Sequence, residues 1–557
     1  MKVQNPILPG FNADPTIARD GDTYLIATST FEWFPGVALY RSDNLRDWRL
    51  ERNVLNRPSQ IELRGVSDSC GVWAPQLSYH PDTNRWYLAY TIVTNLSDSF
   101  FDLKNCYVSA EDPTGEWSDP RFLNASGFDP ALFHDDDGTS WVTNLSWEFR
   151  KGYRHPGPIV LRQWDLERGI PAGPERVIYR GDPHFGCTEG PQIYRREGWY
   201  YLVTAEGGTG YGHAVLVSRS RNVQGPYEPS PHNPLLTSRA EPHPAKEDAD
   251  PDFLKSRFFN PAIDLQKAGH GSMVDTPTGE TVLAHLCARP LLPELRSTLN
   301  RETALQRVEW KDGWPVILDG PHPRTTVAFA GREEGLGPDV SRPGRDEFET
   351  HPLSPHFYSL RCPIEDDWCS LSHTPGSLSL RGRNSIYSRI ETSVIARRIQ
   401  HFCFRAKTLL RFAPEGYRQS AGLLLMNSAA TWFLLRQYYS ETLGSPALGI
   451  MTSDLGRPDE HLDSRIALSE EQVAEGVVLQ ALVNRDELIF GWAYPGEEIK
   501  QIGPSLDASK LSDEYNNDGQ GAFSGSFIGM HAYDSDRMES WAEFDYFDYR
   551  PCEETNL

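Results

Sequence analysis

No run of eighteen consecutive apolar residues occurs anywhere in the 557 residues, which excludes a membrane-spanning helix. Basic residues are scarce. The chain has 54 Lys and Arg against 77 Asp and Glu, and the resulting net charge of −23 disfavours binding to a phosphate backbone or an anionic lipid surface. The eight cysteines include no Cys-x-x-Cys pair, so neither a zinc ribbon nor a dense disulfide framework is indicated. The opening segment MKVQNPILPGFNADPT has no apolar signal-peptide core, which predicts a cytoplasmic protein. Helical periodicity is also nearly absent.

Aromatic residues are plentiful. They make up 11% of the chain, with 15 tryptophans set among 45 glycines and 42 prolines. Frequent turns and flat aromatic surfaces suit an all-β protein that handles sugars. Length alone would allow three or four domains, but a degenerate repeat narrows this. Five times, a short opening motif leads into a β-like run, a polar turn and an aromatic-rich strand: ADPTIARDGDTYLIATS from Ala13, WAPQLSYHPDTNRWYLAYT from Trp73, FDPALFHDDDGTSWVTNLS from Phe128, EGPQIYRREGWYYLVTA from Glu189 and HGSMVDTPTGETVLAHL from His270. Most copies carry a further strand pair. Five units of four strands predict a five-bladed β-propeller over residues 1–325. A polar, Gly/Pro-rich stretch reads as a linker over 326–347. Beyond it, runs such as SAGLLLMN, TWFLLRQYY and WAEFDYFDYR predict a β-sandwich over 348–557.

Innermost propeller strands begin near the axis, so the opening motifs should converge. They bring Asp14, Trp73, Asp129, Glu189 and His270 to one mouth. Asp14 and Asp129 each precede a proline, and Asp-Pro alone is a common turn starter. Their equivalent places in the repeat, with Glu189 at a third, favour chemistry instead. Paired carboxylates beside aromatic walls are what glycoside hydrolysis needs. One must stay protonated to serve the leaving oxygen and the other ionised to activate water, while a third raises the acid's pKa by like-charge repulsion. Two decoys fall away. GGTGYG (207–212) lacks the Lys-Ser/Thr of a phosphate loop, and DDDG (135–138) lacks the spaced ligands of a calcium-binding hand.

With NPILPGFNADPTI at the start, STFEWFPGV (29–37), GVWAPQLSY (71–79), GFDPALFHD (127–135), TEGPQIY (188–194), TAEGGTGY (204–211), AGHGSMV (268–274), AHLCARPL (284–291), RETALQRVEWKDGWPV (301–316) and GSFIGMHAYD (525–534), the chain resembles glycoside hydrolase family 43, in particular its two-domain exo-acting β-xylosidases. The resemblance implies Asp14 as general base, Glu189 as general acid and Asp129 as the carboxylate that tunes and orients the acid. It implies Arg289, in CARPL, as an arginine contacting the sugar and the acidic cluster. Phe31, Trp73 and Trp147 match apolar walls around the nonreducing xylose, and Phe523 a sandwich-domain residue closing the pocket. His270 matches a histidine associated with water or a divalent cation, such as calcium, near the propeller axis. An axial histidine satisfied by backbone or water is the alternative, and no metal is expected to be required. Inversion in a single displacement, with carboxyls ~6.5–9.5 Å apart, is the expected course. The substrate implied is a xylooligosaccharide and the assembly a homodimer or homotetramer, with no nucleic acid and no membrane as partner. An α-L-arabinofuranosidase or a bifunctional enzyme is the nearest alternative, and a non-catalytic sugar-binding propeller a more distant one. The fructan-hydrolysing propellers are disfavoured because Asn12-Ala13-Asp14-Pro15-Thr16 departs from their Asn-Asp-Pro-Asn-Gly signature. The segments 143–158 and 238–253 resemble the family least and are expected in loops at the pocket rim.

Overall fold

A computed structural model describes residues 1–97, 100–153, 156–240, 254–336, 344–349, 351–517 and 523–553. Five antiparallel sheets follow one another along the chain. The first has strands Thr16–Asp20, Thr23–Thr28, Gly36–Ser42 and Arg49–Leu55 in that order, and the others begin at Gly71, Ala131, Glu189 and Gln266. The outermost strand is split in two in the third and fourth sheets. Tight turns join the inner pair of each. Asp20 faces Thr23 across Gly21 at φ +57°, and Gly138 closes the DDDG turn at φ +82°, where a side chain would be strained. These sheets are the five blades.

The N-terminal segment closes the ring. Lys2–Gln4 pairs with Thr326–Ala328, and the Asn5 amide bonds the backbone of Leu305 and Arg324. The stretch read as a linker therefore contributes structure at both ends: Thr326–Ala328 belongs to the propeller, and Arg345–Asp346 pairs with the sandwich strand Trp541–Pro551.

Two sheets form the C-terminal sandwich, one of eight strands and one of nine. In the nine-stranded sheet, Leu423 and Leu425 face the sandwich core, while Leu424 and Met426 join the core cluster of the propeller. Both faces are thus buried, which explains an uninterrupted apolar run where a one-sided sheet would alternate. The last strand of this sheet comes from the propeller: Trp33–Phe34 pairs with Tyr358–Leu360. Trp33 also stacks on Phe527 with ring centroids 3.9 Å apart. No helix among the described residues is long and apolar enough to cross a membrane.

Candidate active site

At equivalent points near the start of each blade, one residue adopts the left-handed conformation: Asp14 (φ +53°), Ala74 (+42°), Asp129 (+55°), Gly190 (+56°) and His270 (+49°). Four of the five carry a Cβ, and holding such residues there costs on the order of 1–3 kcal/mol each. The pairing register shifts across this residue between Trp73 and Gln76, Glu189 and Gln192, and Gly269 and Ser272. A bulge here breaks the strict alternation of a strand. That is how Trp73 and Glu189, one residue earlier in the repeat than Asp14 and Asp129, reach the same cavity.

The cavity has a volume of about 540 Å³, within the usual range for small-molecule sites. Around it stand Asp14, Asp129, Glu189, His270, Phe31, Trp73, Trp147 and Phe523, all anticipated from the sequence. Trp147 stacks on Phe101 at 4.0 Å, and the Phe31, Phe128 and Phe523 rings surround Trp73 at 5.6–5.9 Å. Of the two rim segments, 143–158 supplies Trp147 and Pro156, while 241–253 lies outside the described residues.

Arg289 is the exception. It forms a two-pronged ion pair with buried Glu302, at 2.7 and 2.8 Å, and lies over the Phe402 ring of the sandwich. The arginine in the cavity is Arg301, which donates to Asp14 Oδ1 at 2.7 Å. The contact expected of Arg289 is therefore made by Arg301. The sequence reading also missed Phe101, Phe128, Cys187 and Thr209. Phe128 and Thr209 sat inside motifs already singled out, GFDPALFHD and GGTGYG, where their neighbours drew the attention. The glycines of the second motif shape a wall of the pocket: a Cβ on Gly207 would lie 2.0 Å from the Gly212 carbonyl oxygen.

The three carboxyls differ in their surroundings. Asp14 accepts from Arg301 and, at 2.8 Å, from the Ser29 hydroxyl, which itself accepts from the Ala74 amide. Asp129 accepts the Gly190 N–H at 2.8 Å, which ties it to the residue next to Glu189. Burial pushes Asp129 up to about 6; His270 opposes this and the Asp14 charge adds to it. Glu189 is held well above the usual carboxylate range by burial first, then by the charges of Asp129 and Asp14, against the pull of Arg301 and Lys255. A Glu189 that holds its proton more tightly than an ordinary carboxyl, beside an Asp14 paired with a guanidinium, is a division of labour between acid and base.

On its Nδ1 side His270 does not offer a divalent-cation site: Nδ1 lies 3.8 Å from Asp14 Oδ1, and that oxygen already receives the Arg301 guanidinium, a fixed positive charge. No group of three or more His, Cys, Asp or Glu side chains suited to a metal occurs among the described residues.

Residues 3–315 match the model of glycosyl hydrolases family 43, and residues 345–550 match that of the β-xylosidase C-terminal concanavalin A-like domain. Xylosidase/arabinosidase 43B of Humicola insolens is 43% identical over 99% of this chain and 98% of its own. A β-xylosidase of Bacillus subtilis (strain 168) is 37% identical over 99% of this chain and 100% of its own. The crystal structure of xylan β-1,4-xylosidase from Bacillus halodurans C-125 superposes with a TM-score of 0.91 at 40% identity, covering 98% of this chain and 100% of that one. The chain belongs to glycosyl hydrolases family 43 and is a glycoside hydrolase.

Proposed function

We propose that this enzyme is an exo-acting, inverting β-xylosidase that releases xylose from the nonreducing ends of β-1,4-xylooligosaccharides. One observation carries the reading: the cavity brings Glu189, held well above the usual carboxylate range, together with an arginine-paired Asp14, and the sandwich domain adds Phe523 to its wall. A pocket walled off in this way admits a chain terminus rather than a chain interior. Asp14 takes a proton from water as its oxygen attacks the anomeric carbon. Glu189 delivers its proton to the leaving glycosidic oxygen, and Asp129 keeps that proton on Glu189 until it is needed. Arg301 holds Asp14 in place, and the aromatic walls exclude competing water. The donor set at His270 supports chemistry without a resident cation.

Similarity to the xylosidase/arabinosidase of Humicola insolens favours a second activity, on α-L-arabinofuranosides, at the same acids. We place the enzyme in the cytoplasm as a homo-oligomer, dimer or tetramer, acting in xylan degradation on short oligomers. None of the eight cysteines forms a disulfide, which suits a reducing compartment.

The test is hydrolysis of xylobiose, 4-nitrophenyl β-xyloside and 4-nitrophenyl α-arabinofuranoside, with the first-formed anomer followed by proton NMR. α-Xylose from xylobiose is expected; β-xylose first would overturn inversion, and arabinoside cleavage alone would overturn the xylosidase reading. Glu189→Ala should lose roughly 10²–10⁴-fold on xylobiose and far less on the aryl xyloside, whose leaving group needs no proton. Equal losses on both would remove Glu189 from the acid role.

A further inference from the structure

Phe523 reaches the propeller from the sandwich, and its position rests on a buried polar relay. Its backbone N–H donates to Ser69 Oγ at 2.9 Å. Ser69 Oγ lies 3.0 Å from Ser524 Oγ, and Ser524 donates to Glu32 Oε1 at 3.1 Å. The Ser69 carbonyl accepts the Trp73 indole N–H at 3.0 Å, so the relay also fixes the ring against which Phe523 packs. Glu32 is 1% exposed and follows Phe31, another cavity wall. Its carbonyl accepts the Arg361 amide at 2.9 Å, beside the strand that the propeller lends to the sandwich. Its second carboxyl oxygen, Oε2, is buried without a hydrogen-bond partner. A buried carboxyl that touches no cavity and leaves an oxygen unsatisfied is costly to keep, yet it sits where both domains meet the pocket.

We propose that Glu32 is a positioning residue for substrate binding. Through Ser524 and Ser69 it fixes Phe523 against Trp73, and so sets how tightly the pocket holds its sugar without touching the sugar. Only the kinetic readout below rests on the β-xylosidase reading.

The charged and titratable groups around Glu32 are Arg361, Asp68 and Cys70. Arg361 is already engaged, donating to the Val66 carbonyl and pairing with Asp68. Burial, opposed by Arg361 and reinforced by Asp68, pushes Glu32 up to about 7. A carboxyl raised on folding binds a proton that the unfolded chain has lost. The folded arrangement around Glu32 is therefore most stable below the ordinary carboxylate range, weakens as pH climbs from there to about 7, and levels off above.

Two measurements test this on the full-length enzyme. In hydrogen exchange corrected for intrinsic rates, the Phe523 amide should be protected in the wild type, with protection falling between about pH 5 and 7. Glu32→Gln should keep the acceptor and flatten that pH dependence, whereas Glu32→Ala should lose protection. In kinetics on 4-nitrophenyl β-xyloside, Glu32→Ala should raise KM about tenfold with kcat changed less than about twofold, and Gln should restore KM. Ser524→Ala removes the same link from the other side with a smaller change, and should raise KM in the same direction if Glu32→Ala does not fold. Unchanged Phe523 protection and unchanged KM in Ser524→Ala and Glu32→Ala would overturn the proposal. A wild type that leaves the xyloside intact would sink the β-xylosidase reading, while the exchange data would still decide the role of Glu32.

Discussion

Arg301 and Glu302 are consecutive, and backbone alternation sends their side chains to opposite sides. Arg301 turns to Asp14 in the cavity, and Glu302 turns away to Arg289. Cys287 lies opposite Glu302 in the ladder, so Arg289 and Arg301 stand just beyond the paired ends of adjoining strands. That proximity is why the sequence pointed to the wrong one: both arginines lie in motifs of the family, and only the strand register tells which faces inward. Arg301→Ala should therefore lower kcat/KM by roughly 10²–10⁴-fold on xylobiose and aryl xyloside alike, since Asp14 loses the group that holds it in place as base. Arg289→Ala should instead lower Tm while activity per folded molecule persists; initial rates and a thermal melt on both variants separate the two. Asp129→Asn bears on the acid. Without the neighbouring charge Glu189 loses its proton more readily, so the basic limb of the kcat–pH profile should move toward acid. A limb that stays put would remove Asp129 from tuning.

Blade starts were legible as motifs because turn residues and strand periodicity repeat with them. Their geometry was not, because Asp-Pro reads as an ordinary turn, and nothing local announces a left-handed residue followed by a bulge. The spacing therefore gave the five positions, and the bulges decided that both adjacent registers would reach the cavity. Asparagine tolerates the left-handed region better than most residues. Asp14→Asn should thus keep the local backbone turn, lower the Tm by leaving buried Arg301 without its counter-charge, and abolish turnover on every substrate, because water activation is common to all. Gly190→Ala should cost stability through the backbone itself. Its Cβ would sit 3.2 Å from His270 Cε1 at φ +56°, and a glycine replaced in this conformation should cost about 1–2 kcal/mol of stability, read by denaturant unfolding.

Across the whole molecule, the two domains were legible, but their union was not. Linker composition marked a boundary, yet nothing in TFEWFPG says that Trp33–Phe34 completes a sheet built from residues more than 300 positions away. The apolar runs of the sandwich hinted at burial on both faces without naming the partner. A second contact between the domains carries charge. Lys267 of the propeller is 2% exposed and pairs with Glu514 of the sandwich at 2.6 Å, and neighbouring Asp513 accepts from Asn300 at 3.3 Å. Burial, opposed by Lys267 and reinforced by Glu514, pushes Asp513 up to about 7. The folded state thus holds a proton that the unfolded chain releases in the ordinary carboxylate range, so stability falls as pH rises from there to about 7. Asp513→Asn cannot ionise. Its Tm should gain on the wild type from pH 5 to pH 7 and keep a constant lead above, and melting curves across that range would show it.

The borrowed strand sets the order in which the enzyme can come into being. A ribosome releases the propeller sequence first, and domains ordinarily begin to fold as they emerge. Here the edge formed by Trp33–Phe34 waits for Tyr358–Leu360, and the pocket waits for Phe523. A nascent chain stopped short of Phe523 would carry all three acids and still lack a finished pocket, so hydrolytic activity marks a chain extended past both domains' meeting point.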